Sequence, residues 1–381
     1  MNRSRHEGRG VDPRTLVVVL TDALSTFYDK GEIKNRYYNP GNLFSEVHFI
    51  SPASSEVPAP AIQSLVGDAK LVIHAVGRTY YTTAFLPFGR IASLLRKIDP
   101  DVVRAYDPGI RGTLAVWWAR RLGIPSVISI HSELDEQRRV ERRFVHQVRR
   151  WFERYSVQRA DAVICISRYV ESYARRYGAK RVEVIYNRVY GDQFVPTQLE
   201  RPVRNSGDSA LPVILSVGRL TSEKNQECLI RAVHGLRARL ILVGEGPLRG
   251  WLEQLVDELL MNDRVTFVPS VPHRDIARYY HDADIFATAT RFEGFCIPLL
   301  EAMAAGLPVV ASHIGPIAEI LADTGIVVEN DSRAFASALD RLIRDPDLRR
   351  DLGRRAADRA RTMDGSVMEQ REKALYRALC A

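Results

Sequence analysis

The sequence predicts an α/β protein made of two doubly wound, Rossmann-like domains in tandem. Three observations carry that reading. Short runs rich in Val, Ile and Leu alternate with longer stretches at helical spacing, the pattern of parallel strands buried on both faces. The alternation lapses once, between residues 195 and 212, into Pro-Thr-Gln-Leu-Glu-Arg-Pro and Asn-Ser-Gly-Asp-Ser-Ala, which is linker composition. A length of 381 residues at 46% hydrophobic content is enough for more than one core.

The first series of strands falls at residues 15–20, 46–50, 71–76, 102–105, 126–130, 162–166 and 182–186. Between them, residues 91–98, 112–122 and 169–177 carry helix spacing, and Gly123 and Gly178 stand where a helix should stop. A second series follows at 213–217, 240–243, 265–268, 285–289, 309–311 and 326–328. The expected division is 1–195 for the first domain, 196–212 for the linker, 213–365 for the second domain and 366–381 for a final helix. Open parallel sheets bind ligands at the carboxyl ends of their strands, so two such domains are expected to face a cleft.

Charged residues make up 26% of the chain, close to the globular average. Cys165, Cys228, Cys296 and Cys380 lie far apart and form no metal or redox spacing, which predicts free thiols in a reducing compartment. The basic start, residues 1–10, precedes an apolar run at 16–20 that is too short for a signal-peptide core or a membrane span. A cytoplasmic location is therefore expected. The net charge of +8 favours polyanionic contacts: nucleotide phosphates, nucleic acid or an anionic membrane surface.

Residues 291–308, Arg-Phe-Glu-Gly-Phe-Cys-Ile-Pro-Leu-Leu-Glu-Ala-Met-Ala-Ala-Gly-Leu-Pro, read as a loop turning into a helix. Pro298 suits the first helical position, Gly306 a left-handed stop, and Pro308 prevents continuation. Glu293 and Glu301 frame the helix start, where free backbone N–H groups can grip an anion while the carboxylates take its neighbouring hydroxyls. Taken alone, the same residues also fit a solvated loop carboxylate and a glutamate complementing the helix dipole.

Two glutamates with seven residues between them, followed by Ala-Met-Ala-Ala-Gly-Leu-Pro-Val-Val, resemble the donor-site signature of the retaining glycosyltransferases of family 4. The resemblance extends to Val217-Gly-Arg-Leu-Thr-Ser-Glu-Lys-Asn225, Leu242-Val-Gly-Glu-Gly-Pro247 and Tyr279-Tyr-His-Asp-Ala-Asp-Ile-Phe286. It covers the second half of the chain almost end to end and the first half more thinly. It implies the GT-B architecture, with the final helix crossing back to the first domain, and a donor that is a nucleotide-diphosphate sugar.

By the same resemblance Gly218, Arg219 and Lys224 meet the donor diphosphate, and Gly244 lies in the turn beside the nucleotide. Gly294, Phe295, Cys296 and Ile297 form the helix start. Glu301 takes the ribose hydroxyls, Glu293 those of the sugar being moved. His131, at the end of the 126–130 strand, is placed near the donor sugar as a hydrogen-bonding, partly positive group. An isolated Arg-x4-Lys reads equally as a surface loop, and a lone histidine as a structural one. The resemblance implies transfer by front-face departure of the leaving group, without a metal, to a hydroxyl of a glycan or lipid-linked acceptor, with Glu293 as a covalent nucleophile the alternative route. A nucleotide-sugar epimerase or hydrolase, and a non-catalytic nucleotide-sugar-binding partner of another transferase, are the alternatives.

Three departures from the family pattern stand out: Cys296 and Pro269 where glycine is usual, and no Gly-Gly pair after the first strand, for which Lys30 and Gly31 are candidate substitutes. Three Asp-x-Asp strings, at Asp99, Asp282 and Asp345, have metal-site spacing, but each lies in a turn or a family-typical string. No metal is expected. The arginine-rich stretch 136–159 reads as a core-facing helix with a solvated basic rim, or as a basic amphipathic helix on an anionic membrane at the cytosolic face. It has no nucleic-acid-binding pattern, so no nucleic-acid partner is expected.

Overall fold

The computed structural model describes residues 12–29, 35–77, 86–132, 134–135, 145–195 and 211–381. Lys30, Gly31, residues 136–144 and most of the expected linker lie outside these. The chain divides into two units, Met1–Tyr186 with Ser366–Ala381, and Asn187–Gly365.

Among the described residues the first unit holds seven strands: β1 (Thr15–Val19), β2 (Glu46–Ser51), β3 (Lys70–Ala75), β4 (Val102–Ala105), β5 (Ser126–Ile130), β6 (Ala162–Cys165) and β7 (Val182–Val184). They pair in the order β3-β2-β1-β4-β5-β6-β7, all parallel. The helices are α1 (Leu24–Asp29), α2 (Ala59–Ile62), α3 (Leu86–Ile98), α4 (Ile110–Leu122), α5 (Val145–Arg159) and α6 (Arg168–Arg176). Strand order reverses between β1 and β4, so the carboxyl ends of these strands open a crevice where a doubly wound sheet takes its ligands. The loop leaving β1 is tied from two sides. Glu56 accepts from the backbone N–H of Leu24 and Ser25 at 3.0 and 3.1 Å, and Arg111 donates to Leu20 O at 3.2 Å and to Thr21 O.

The last helix packs on this unit through one stripe. Met368, Leu375 and Tyr376 are buried in the same core as Leu16, Val18 and Phe49, at about 1.5–3 kcal/mol for each large apolar side chain. On that stripe Glu372 pairs with buried Arg104, whose Nη1 also reaches Tyr376 Oη at 3.0 Å and whose Nε reaches Ser129 Oγ at 2.8 Å. At the helix end Arg377 holds Asp12 through two bonds of 2.6 and 2.8 Å.

The second unit carries β8 (Val213–Val217), β9 (Arg239–Val243), β10 (Val265–Val268), β11 (Ile285–Thr288), β12 (Val309–Ser312) and β13 (Ile326–Val328). Their order is β10-β9-β8-β11-β12-β13, again all parallel. Its helices are α7 (Gln226–His234), α8 (Arg249–Glu258), α9 (Ala277–Asp282), α10 (Ile297–Ala304), α11 (Gly315–Leu321), α12 (Ser332–Arg344) and α13 (Pro346–Thr362), followed by the last helix, α14 (Gly365–Cys380). The reversal here lies between β8 and β11.

Residues 187–195, expected in the first domain, belong to the second unit. The reason is Phe194, which is buried against Tyr280 at 5.5 Å between ring centres and whose carbonyl accepts from His281 Nε2 at 2.9 Å. In α5, Glu153 is fully buried, accepting from Arg149 Nε and Tyr173 Oη at 2.9 and 2.8 Å, while Trp151 is 63% exposed. The face of this helix that meets the protein therefore carries a carboxylate, and the aromatic Trp151 meets water. No helix among the described residues is long and apolar enough to cross a membrane.

Candidate functional site

The site in the second unit begins where two strand ends are stapled. Past β8, Gly218 N donates to Val243 O at 3.0 Å, and Leu220 N to Glu245 O at 2.9 Å. Such an approach leaves no room for a side chain. A Cβ on Gly244, whose φ is +141°, would lie 2.1 Å from Gly218 O. This is why glycine is needed at that turn.

The loop from Arg219 to Asn225 is then bound to the loop leaving β11. Arg291 N donates to Glu223 O at 2.7 Å, and its guanidinium reaches Ser222 O at 3.3 Å and Asn225 Oδ1 at 3.0 Å. Asn225, in the left-handed conformation at φ 51°, donates to Asn330 Oδ1 at 2.6 Å. Asn330 in turn donates to the carbonyls of Ala289 and Thr290 at 2.7 and 3.0 Å. Loops far apart in sequence are thereby held as one piece.

That clamp brings Lys224 and Glu293 into a direct ion pair. Their side chains are only 20% and 11% exposed. Burial alone would push the Lys224 ammonium down, but Glu293 beside it raises it above its ordinary value. Burial raises the Glu293 carboxyl, with Lys224 opposing. Arg219, by contrast, is 71% exposed and pairs with Glu223.

The helix α10 starts at Ile297, so Pro298 takes its second position rather than the expected first. Its missing N–H has no helical partner at either place. Gly306 ends the helix with φ +71°. Phe295 and Cys296 are buried before the helix, and burial with Glu293 nearby pushes the Cys296 thiol up to about 12. Glu301, 3% exposed, accepts from Tyr280 Oη at 2.7 Å and lies 3.0 Å from His273 Nε2. Both its oxygens are thus engaged by the protein, each retaining acceptor capacity. The sequence reading missed Tyr280, His273, Asn225 and Asn330 as supports. Asn225 caps the start of α7, Tyr280 lies within α9, and Asn330 stands just past β13, so the signal open to it was their place at or beside elements that border the site.

In the first unit His131 follows β5 directly. Its ring stacks on Tyr106 at 5.2 Å and 16°, and the Arg104 guanidinium lies 4.4 Å from the centre of the Tyr106 ring. Nε2 of His131 is buried without a hydrogen-bond partner. Burial, with Arg104 adding to it, lowers the imidazole to about 4. The ring is neutral at pH 7, so the partial positive charge expected of it is that of an N–H dipole.

The Asp-x-Asp strings have structural duties. Asp284 Oδ2 accepts from Val213 N at 2.8 Å, Asp101 Oδ2 from Arg14 N and Thr15 N at 2.8 and 2.9 Å, and Asp345 caps α13 through Leu348 N at 2.9 Å. Among the described residues no cluster of three His, Cys, Asp or Glu side chains could hold a metal ion.

Solved structures share this fold. The chain aligns over 96% of its length with a sucrose-phosphate synthase from Thermosynechococcus elongatus, covering 99% of that chain at 22% identity and TM-score 0.73. It aligns over 95% with Anabaena HepE bound to UDP, covering 99% of it at 17% identity and TM-score 0.77. These are GT-B proteins, and they too are built of two parallel-sheet Rossmann-like domains. Residues 45–190 match the family model Glycosyltransferase Family 4, and residues 201–359 match Glycosyl transferases group 1. The chain belongs to this glycosyltransferase family. Among curated relatives, the alpha-D-kanosaminyltransferase of Streptomyces kanamyceticus is 30% identical over 63% of this chain and 66% of its own length. A GDP-mannose-dependent alpha-(1-6)-phosphatidylinositol monomannoside mannosyltransferase of Mycolicibacterium smegmatis is 34% identical over 49% of this chain and 54% of its own. The matches thus span about half to two thirds of these relatives.

Proposed function

We propose that this chain is a retaining glycosyltransferase that moves a sugar from a nucleotide-diphosphate donor to a hydroxyl of a glycan or lipid-linked acceptor. The observation that carries the reading is the clamped Lys224–Glu293 pair beside the start of α10. Breaking the bond to a diphosphate requires stabilisation of charge growing on the leaving group, by fixed cations or a metal. Lys224 has three donors and gives one to Glu293, so two remain for phosphate oxygens, and exposed Arg219 supplies a second cation. In this reading the two replace a divalent ion. Glu293, held in place by Lys224, offers its remaining lone pairs to the hydroxyls of the transferred sugar. Glu301 is oriented by Tyr280 and His273 toward the ribose, and the neutral His131 acts as a hydrogen-bond donor. Leaving-group departure and acceptor attack on one face, with the phosphate taking the acceptor's proton, give retention.

The names of the relatives support the donor and acceptor classes: one is GDP-mannose-dependent and named for a phosphatidylinositol mannoside, and the HepE structure holds UDP. A peripheral membrane contact would rest on Trp151 and the neighbouring Arg150 and Arg154.

The test is a thermal-shift series with nucleoside diphosphates and nucleotide sugars, with and without EDTA. A ligand at about a hundred times its Kd adds about 2.7 kcal/mol, a shift of several degrees. One nucleotide should give that shift regardless of EDTA, and Lys224→Ala should abolish it. No shift with any nucleotide would overturn the reading, and an EDTA-sensitive shift would overturn its metal-free part. NMR of the product anomer tests retention.

A further inference from the structure

In the first unit α4 packs between α3 and α5. The three helices lie on crossovers that run in one direction along the sheet, from β3 to β4, β5 and β6, and right-handed crossovers of that kind put their helices on one face. This layer is strongly basic. It carries ten arginines and lysines and a single carboxylate, Glu153, which is buried. That excess is larger than the +8 of the whole chain, so the charge is gathered here rather than spread over the protein. Arg96 and Lys97 on α3, Arg121 on α4, and Arg150, Arg154 and Arg159 on α5 are all exposed. At the rim Asp135 pairs with Arg150 at 3.2 Å, and Arg149 turns inward to Asp107 and Glu153 at 3.4 and 2.9 Å. Arg121 and Arg159, in last turns, also complement helix dipoles. Arg150 and Arg154 stand mid-helix, where no dipole end calls for them.

The same layer holds three of the chain's four tryptophans. From Gly112 to Ala119 on the central helix, only Trp117 and Trp118 are not buried. Arg121 lies over the Trp117 ring at 4.0 Å, and Arg96, from the neighbouring helix, over the Trp118 ring at 5.0 Å, both within cation–π range. On α5, exposed Trp151 stacks on Tyr155 at 6.1 Å. Indole has an apolar body and one polar N–H, and arginine a long apolar stem with a charged head; both suit the boundary between lipid headgroups and acyl chains. Three helices in one layer also offer a broad face. Duplex DNA is read differently, by a helix or ribbon that enters a groove.

We infer that the α3–α4–α5 layer is the surface by which the first unit docks on a bilayer of anionic lipids, with its indoles at headgroup level and its guanidiniums on lipid phosphates. The inference rests on the peripheral contact proposed above for Trp151, Arg150 and Arg154 and extends it from one helix to three. It needs no nucleotide, so it stands or falls independently of the proposed transfer.

The experiment is co-flotation of the full chain with vesicles of phosphatidylcholine alone and of phosphatidylcholine mixed with phosphatidylglycerol, at low and high salt. The chain should float only with the mixed vesicles, and salt should release it. Each cation near an anionic surface adds about fivefold in affinity, so Arg96→Gln with Arg121→Gln, and Arg150→Gln with Arg154→Gln, should each weaken binding about 30-fold. Trp151→Ala should weaken it as well. A loss in only one of the two pairs overturns the three-helix face, and if that pair is the one on α5, the single-helix contact still stands. No flotation, equal flotation with both kinds of vesicle, or no loss in either pair overturns both. Tighter binding of a DNA duplex than of the mixed vesicles at the same salt would make nucleic acid the partner and overturn the inference likewise. Thermal melts of each variant with and without nucleotide, expected to match the parent, separate lost docking from lost folding and from failure of the donor site.

Discussion

Replacing Lys224 by Met tests whether the pair with Glu293 is as buried and as coupled as its geometry indicates. The substitution keeps the length of the side chain and removes only the ammonium. It leaves a carboxylate that is 11% exposed, with Glu223 as a like charge nearby. Removing one partner of a buried pair costs about 3–5 kcal/mol, and the residual exposure of both groups puts the expected loss near the lower end, about 3 kcal/mol. For a unit of this size that is a fall in Tm of about 6–12 °C. Glu293→Gln alone should cost less, about 1 kcal/mol, because the Lys224 stem can turn its ammonium to water. The double variant should recover much of the loss, with a coupling energy of about 2 kcal/mol. The pH dependence has a definite sign. Glu293 is raised above its ordinary value by burial, and loss of Lys224 raises it further. A carboxyl raised on folding destabilises the folded state as pH rises through its range, so Lys224→Met should regain stability on acidification. Urea melts from pH 7 to pH 5 measure all of this. A loss under 1 kcal/mol, or strict additivity in the double variant, would refute the argument.

Other predictions rest on single features. His131 falls from 6.5 to about 4. The unfolded imidazole therefore takes a proton before the folded one as pH drops, and about 3 kcal/mol of stability should be lost between pH 7 and pH 4. In His131→Gln that part of the acid loss should vanish from the melts, and an unchanged slope would refute it. Glu372→Gln leaves the buried Arg104 guanidinium uncompensated and should cost about 3 kcal/mol, against about 1 kcal/mol for Tyr376→Phe; equal costs in urea melts would contradict the network as described. Burial pushes the thiols of Cys165, Cys296 and Cys380 up to about 12 and that of Cys228 to about 11. A disulfide reagent at pH 8 should label all four only after guanidinium unfolding, and rapid labelling of the native protein would refute this.

Much of the site was legible as a list of residues and little of it as an arrangement. The Pro298 start and Gly306 stop of α10 follow from local rules, because a missing N–H and a positive φ are properties of one residue. The strands were readable for the same reason, since burial on both faces leaves a continuous apolar run. Trp151 and Glu153 show where that reasoning fails. Helix spacing counts apolar positions, but Glu153 is buried together with Ser156 and Val157 because Arg149 and Tyr173 satisfy it, and those partners are identified by folding.

The sequence by itself determined the class: two alternating α/β series, a break between them, and the carboxylates and cations gathered at strand ends. Only the tertiary structure decided that Lys224 meets Glu293, 69 residues away, and that Asn225 reaches Asn330, 105 residues away. The physical reason lies in the parallel sheet. β8 pairs with β11 and not only with β9, so the loops leaving these two strands, three crossovers apart along the chain, leave the sheet side by side. Which side chains then pair is set by close packing and by the satisfaction of buried donors and acceptors.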